Sequence, residues 1–418
     1  MAIEGPVATR EIGYAKGTSW WDDLDDETTP ELRWPFSVRV YNDMRRQDAQ
    51  VASVLRAVTL PVRRTPWRIR PAGARDEVVE QVAQDLGLPI AGAGDDVPGS
   101  LRTRDRFSFP THLRHALLCL PLGHMPFEQQ YRIVGTGSAA RARLRKLAPR
   151  MPSTLTAINV ARDGGLISIE QSGAQKPIPV SQLVMYTNDR EAGNWRGTSL
   201  LRSAYKFWLL KDRMLRVQAQ TIERNGMGIP DYEAGPREKA LEPGQKLMQS
   251  LRAGDQAGLS RPNGSAFGLK GVEGTLPDAE PVIRYYDEQI ARAVLAHFLN
   301  LGTQTGSWAL GSTFADFFTL SLQTVAEDIR DVVNAHVIED LVDINFGEDE
   351  PAPKLEFDEI GSRHPATAEA IQKLVACGAI LPDRELEQFL RQQHSLPPKG
   401  SYSAPAGPAP DPNGRQTA

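Results

Sequence analysis

Four groups of residues in this 418-residue chain have the types that chemistry uses. Asp22, Asp23, Asp25, Asp26 and Glu27 crowd five carboxylates behind Trp20-Trp21. Clustered carboxylates can hold a divalent cation, but these lack the alternating spacing of a calcium loop. A solvated acidic arm is the competing reading, its two tryptophans suited to anchoring on a neighbour. Gly302 to Ser307, GTQTGS, has the glycines of a phosphate loop. It lacks the Gly-Lys-Ser/Thr ending and follows a helical pattern rather than a strand, so it does not read as a nucleotide site. The seven histidines are scattered, with His112 and His115 three apart on one helix and His297 and His336 on apolar-rich helices. They read as structural. Cys119 and Cys377 stand far apart among apolar residues, without metal-ligand spacing or a disulfide framework. No HExxH, paired CxxC, GxSxG or strand-borne GxGxxG appears. The sequence therefore nominates no catalytic residue, no metal and no cofactor.

Cations form two groups. Arg202, Lys206, Arg213 and Arg216 are spaced four, seven and three apart, which places them on roughly one side of a helix. They are candidates for DNA or subunit contacts, with a plain solvated face as the alternative. Thr136 to Arg150 carries Arg141, Arg143, Arg145, Lys146 and Arg150 without an acid. It reads as a loop or short helix that is either solvated or placed against nucleic acid or an acidic subunit surface.

The element that positions the first group is a long helical pattern from Thr198 to Asn225. Its apolar pairs Leu200/Leu201, Phe207/Trp208, Met214/Leu215 and Thr221/Ile222 repeat every seven residues. Gly197-Thr198 opens it, Asn225-Gly226 closes it, and Pro230 prevents resumption. At about 1.5 Å per residue it runs roughly 40 Å, too long for the inside of a small domain. A second helix is expected from Val282 to Leu301 and a third, very long one from Thr313 to Asn345. Between those two lies LGTQTGSWALGS, a glycine-rich connection bearing the isolated Trp308. A connection of that length between helices suggests function.

Upstream, Asp48 caps a helix that ends before Pro61, followed by a strand Trp67–Arg70 and a helix Asp76–Leu86. Ser108 and Pro110 start a helix through Cys119, and Pro126–Val134 reads as a strand. Strands Leu155–Ala161 and Leu166–Gln171 flank Asp163-Gly164-Gly165, and a third strand covers Val184–Thr187. Residues 229–280 form an insertion with strands at 229–234 and 265–270 around a helical piece at 236–252. Lys354–Phe357 is a strand, 365–377 and 383–394 are a helical pair, and the Pro/Gly/Ser-rich end from Leu396 reads as disordered.

A net charge of −4 argues against a chain that coats nucleic acid by bulk electrostatics. The absence of an apolar signal core and of a membrane-length apolar run predicts a soluble, intracellular protein with no membrane contact.

The order of parts resembles the portal proteins of tailed bacteriophages and prophages, most closely the Mu-type and related long-tailed phage portals. The residues that carry the resemblance begin with Asp48-Ala-Gln-Val-Ala-Ser-Val-Leu-Arg56, Pro66-Trp67-Arg-Ile69 and Gly123-His-Met-Pro-Phe127-Glu128. They continue with Gly197-Thr-Ser-Leu-Leu-Arg202, Asn225-Gly226 and Gly228-Ile-Pro230. The resemblance covers roughly residues 35 to 395 and rests on order and spacing rather than on one motif.

What it implies is an α+β, portal-like protomer. A flexible acidic arm (1–34) precedes a mixed α/β wing (35–197), the first stem helix (198–228) and an inserted α/β clip (229–281). The second stem helix (282–301), a tunnel loop (302–312), the long wing helix and strand (313–360), a short helical crown (361–395) and a disordered tail (396–418) follow. Such proteins are not enzymes: they assemble into a ring, usually a dodecamer, at one capsid vertex, and double-stranded DNA passes through it without sequence reading. The implied partners are other copies of the chain, the terminase large subunit, a head-completion or adaptor protein, and the major capsid and scaffold proteins. The implied location is the virion, after assembly in the bacterial host cytoplasm. Thr303, Gln304, Thr305, Ser307 and Trp308 correspond to the loop that faces DNA in the channel. Two other readings compete: a different capsid-associated adaptor or minor head protein, and a metal-dependent nucleic-acid-processing enzyme using Asp22 and Asp23.

Overall fold

The computed structural model describes residues 27–93, 107–161, 163–226, 228–250, 260–271, 278–294 and 308–361. The acidic cluster Asp22–Asp26, Thr303–Ser307, His297, Cys377, the expected crown helices and the expected disordered end lie outside them.

Helices α1 (Phe36–Gln47) and α2 (Ala49–Arg64) are separated by Asp48. Its Oδ1 accepts from the amides of Gln50 at 2.8 Å and Val51 at 3.0 Å, the expected cap. The helix does not stop at Pro61, as its sequence led us to expect. Val51, Val54, Val58 and Val62 continue one buried stripe through the proline, and that burial outweighs a single missing rung.

Strand β1 (Trp67–Arg70) and helix α3 (Asp76–Leu86) fall where predicted, the latter ending on the left-handed Gly87. The helix expected from Ser108 through Cys119 is two pieces, α4 (Phe109–Ala116) and the single turn α5 (Cys119–Leu122). Next comes a hairpin of β2 (His124–Val134) and β3 (Arg141–Pro149), paired from Phe127 opposite Pro149 to Val134 opposite Arg141 with a register shift between Gln130 and Tyr131. The basic stretch is thus a strand, not a loop or short helix. Its cations meet acids from distant sequence: Arg143 Nε donates to Asp85 Oδ1 at 2.7 Å, Arg141 pairs with Glu77, and Arg150 with Glu128. Burial raises the Asp85 carboxyl above the ordinary carboxylate value and Arg143 opposes the rise.

Strands β4 (Leu155–Val160) and β5 (Leu166–Gln171) pair through the predicted turn, where Gly164 has φ +86° and Asp163 Oδ1 accepts from the Gly165 amide. With β6 (Ile178–Pro179) they make one three-stranded sheet. Strand β7 (Leu183–Thr187) leaves it and joins the other, in order β3-β2-β7.

Helix α6 (Tyr205–Gly226) follows, then β8 (Ile229–Glu233), α7 (Glu242–Gln249) and β9 (Ala266–Lys270). Helix α8 (Glu280–Ala293) starts two residues before its expected position, and its expected end lies beyond the described residues. The third long helix begins at Trp308, not Thr313, as α9 (Trp308–Val333). A π-helical turn, Asn334–Ile338, separates it from α10 (Glu339–Phe346). The unbroken helix expected to Asn345 is interrupted where the Gln129 side chain enters its ladder at His336. Asn334 Oδ1 accepts from the Leu355 amide at 2.7 Å, and Gln129 donates to the His336 carbonyl and, at 2.9 Å, to Asp340. Leu355 belongs to β10 (Lys354–Phe357), which pairs antiparallel with β1.

One large core joins α2, α3, α4, the β3-β2-β7 sheet, α9 and α10. A second, around Tyr41, Met44, Leu122, Leu201 and Ile290, grips the start of α6. A third lies in the sheet of β4 and β5. No described helix is long and apolar enough to cross a membrane.

Candidate functional site

The feature with most to account for is the pair α6 and α8 with the β8–β9 hairpin inserted between them in sequence. The pair begins at a pinned backbone. Gly197 has φ +62°, and a Cβ there would sit 2.6 Å from the Asn188 carbonyl oxygen. Ser199 Oγ donates to the Pro121 carbonyl at 2.6 Å and accepts from the Leu201 amide, while the Leu200 amide donates to the Leu120 carbonyl. These bonds precede the turns of Leu200 to Ala204, so regular helix begins at Tyr205 rather than at a Thr198 cap. The helix keeps 22 residues, about 33 Å.

Lys211 then locks the base. Its ammonium lies 2.9 Å from Asp48 Oδ2 and 2.6 Å from Asp287 Oδ1, joining α6 to the cap of α2 and to α8. Burial alone would lower the lysine pKa, but the hydrogen bonds to Asp287 and Asp48 leave it above its ordinary value. Beside it Phe207 meets Tyr285 edge-on and Tyr286 at a tilt, each with centroids 6.4 Å away. The sequence concealed Lys211, because an isolated lysine on an apolar face reads as a snorkelling side chain.

The seven-residue apolar stripe divides in two. Leu201 is buried in the second core and Phe207 and Trp208 pack against it. Farther along the stripe Leu215 is 43% exposed and Ile222 65%, while Leu209 and Val217 are open on another side of the helix. A helix that carries exposed aliphatic residues along its length presents a surface for another chain.

The four candidate cations part company. Arg202 precedes α6 and holds the Glu27 carboxylate with two nitrogens, one contact at 2.8 Å. Lys206 lies 4.8 Å over the Phe207 ring. Arg216 pairs with Asp212 one turn back, and Arg213 is exposed. The hairpin beyond α6 runs from Ile229 opposite Lys270 to Glu233 opposite Ala266, with Tyr232 seated against Gly244 of α7. Of the candidate loop residues, only Trp308 falls among the described residues, at the first position of α9.

Two histidines are interior groups. His112 Nε2 lies 2.7 Å from the Tyr186 hydroxyl and burial drops its pKa to about 3. Burial also brings His124 down to about 4, and its Nδ1 donates to the Arg196 carbonyl. Burial pushes the Cys119 thiol up to about 12, aided by Asp328, so it is not a nucleophile at neutral pH. No group of three or more His, Cys, Asp or Glu side chains that could hold a metal occurs among the described residues.

Comparison with known proteins identifies the architecture. Residues 38–393 match the family described as the portal protein of Mu bacteriophage. Among solved structures, a chain in the virion of a native gene transfer agent particle is 12% identical with a TM-score of 0.53. A chain in the neck of the empty particle, computed with C6 symmetry, is 14% identical at 0.54. One in the native neck, computed with C12 symmetry, is 13% identical at 0.53. Each likeness covers 86% of this chain and 94% of the other. At such identities the likeness is one of fold, the α+β arrangement described above. The sequence match spans most of the chain, and on it this chain belongs to the Mu-type phage portal protein family.

Proposed function

We propose that copies of this chain close into a portal ring of about twelve subunits, a number that follows the C12 symmetry of the similar neck. The carrying observation is the exposed pair Leu215 and Ile222, seven residues apart on one face of α6, a helix whose base is fixed by Lys211. In a ring those residues are covered by the neighbouring protomer, whereas in a lone chain they face water. The ring sits at one capsid vertex of a virion assembled in the bacterial host cytoplasm.

In this reading α6 and α8 are the stem, the β8–β9 hairpin with α7 is the clip, and the elements around the large core form the wing. The chain supplies a channel for packaging and ejecting double-stranded DNA, and a docking surface for the terminase large subunit and head-completion proteins. The motor's ATP hydrolysis belongs to another protein, and this chain has no catalytic role. Thr303, Gln304, Thr305, Ser307 and Trp308 approach the DNA and touch it by shape and backbone, as sliding requires. A net charge of −4 suits a channel that must not grip its cargo. Trp308→Ala tests the channel assignment: rings should still form while packaged or retained DNA falls. Normal packaging and retention with that variant would remove the loop from the channel.

A further inference from the structure

A cleft of about 660 Å³ between α1, α2 and α4 carries Arg45, Arg46, Arg56, Arg63 and Arg114 on its walls. No carboxylate lines it, and none of the five arginines has an ion-pair partner among the described residues. Arg45 feels the crowding: burial, then Arg46, lower its pKa from the ordinary arginine value. Five uncompensated cations around one cleft call for an anionic occupant. The cleft is not purely polar, however. Leu55, Leu118 and Met151 also line it, next to the buried Leu117 and Pro121. A phosphate backbone has no use for such apolar surface, whereas a peptide mixing carboxylates with large apolar side chains matches both parts.

We propose that this cleft holds residues 20–26 of the same chain, Trp-Trp-Asp-Asp-Leu-Asp-Asp, with carboxylates on the arginine walls and Trp20, Trp21 or Leu24 on the apolar floor. The charge pattern is complementary, four acids in seven residues facing five arginines. The residue that follows the segment is also close by. Glu27 is held by Arg202 in a cleft that it shares with Ser37 and Tyr41. Ser37, Tyr41 and Arg45 follow at four-residue spacing on one stripe of α1. Along that helix Arg45 lies only ~12 Å from Ser37. Seven extended residues reach roughly 23 Å. Seven extended residues thus exceed the span from the Ser37 end of α1 to the cleft, and the segment needs no second copy to arrive there. The docking depends on no property of a ring, and it gives a task to the acidic residues that a metal-site reading leaves unused.

Crosslinking in the full-length protein tests it. Asp23→Cys is paired with Thr59→Cys, a cleft residue whose change leaves all five arginines in place, and a short bismaleimide is added. An intrachain link, absent from either single variant, is expected. Arg56→Glu with Arg63→Glu should cut its yield roughly fivefold or more, and about half-molar NaCl should weaken it in the same direction. Both arginines are exposed, so that change spares the core. Links only between chains would overturn the same-chain assignment, and no link above the single-variant controls would overturn the docking altogether. Binding of a short DNA duplex that is lost on Arg56→Glu/Arg63→Glu, yet unchanged when Asp22, Asp23, Asp25 and Asp26 become Asn, would assign the cleft to nucleic acid instead.

Discussion

Replacing Lys211 with methionine should loosen the base of α6 more than any surface substitution on that helix. The ammonium lies 2.9 Å from Asp48 and 2.6 Å from Asp287, and the Lys211 and Asp48 side chains are nearly buried. Removing it leaves two carboxylates facing each other without a cation, and breaking a buried pair in this way costs about 3 kcal/mol or more. The control is Arg216→Gln, which removes an exposed pair with Asp212 and should cost under about 0.5 kcal/mol. Urea unfolding followed by tryptophan emission reads both. Adding Asp287→Leu to Lys211→Met should recover most of the loss, because Asp48 keeps its bonds from the Gln50 and Val51 amides while the unpaired acid is gone. The pH behaviour follows from the raised lysine pKa. Stabilisation from Lys211 is fully present below the unfolded value near 10.5 and disappears only as pH rises through the higher folded value. The difference between wild type and variant should therefore stay flat through neutral pH and shrink in strong alkali. A Lys211→Met protein within about 0.5 kcal/mol of wild type, or a double variant less stable than the single one, would refute the lock.

Two further outcomes are expected. Gly197→Ala should prevent folding or cost more than about 3 kcal/mol, since φ is +62° and the new methyl meets the carbonyls of Gly123 and Asn188. Gly173→Ala, at φ +80° in open space, should cost only about 1 kcal/mol, and urea midpoints compare the two. Asp328→Asn should stabilise the protein at neutral pH by up to about 1 kcal/mol. Burial, then Asp331, Asp189 and Glu327, raises the Asp328 pKa above 3.8, so the wild type loses stability as pH climbs from that value through the folded pKa. The gain from asparagine should vanish at pH below both values; a gain that persists there would show another cause.

What could be read from sequence was what local chemistry decides. The Asp48 cap, the limits of α3 and the Asp163-Gly164-Gly165 turn each depend on a few adjacent residues, and each is found as read. What escaped was decided by partners far along the chain. Arg141 to Pro149 is a strand because β2 pairs with it, and Glu77, Asp85 and Glu128 supply countercharges to Arg141, Arg143 and the adjoining Arg150. Pro61 stays in a helix because Val62 has a core to enter, and the π turn lies where Gln129, from a distant strand, donates to the His336 carbonyl. The candidate site was legible to the same degree. The seven-residue stripe of α6 announced a helix needing partners, but not that its first half is covered within the chain while Leu215 and Ile222 are left open. Lys211 and Asp287, 76 positions apart by their numbers, gave no pairwise clue.

The most direct test of the ring is electron microscopy of the full-length protein with its mass in solution, beside a Leu215→Glu/Ile222→Glu variant. Closed rings of about twelve subunits with a central hole are expected for the wild type, in line with the C12 neck, and their loss in the variant, whose exposed changes leave the protomer folded. A wild type that stays monomeric or dimeric even with capsid and scaffold proteins added, or a variant that forms the same rings, would contradict the ring assignment.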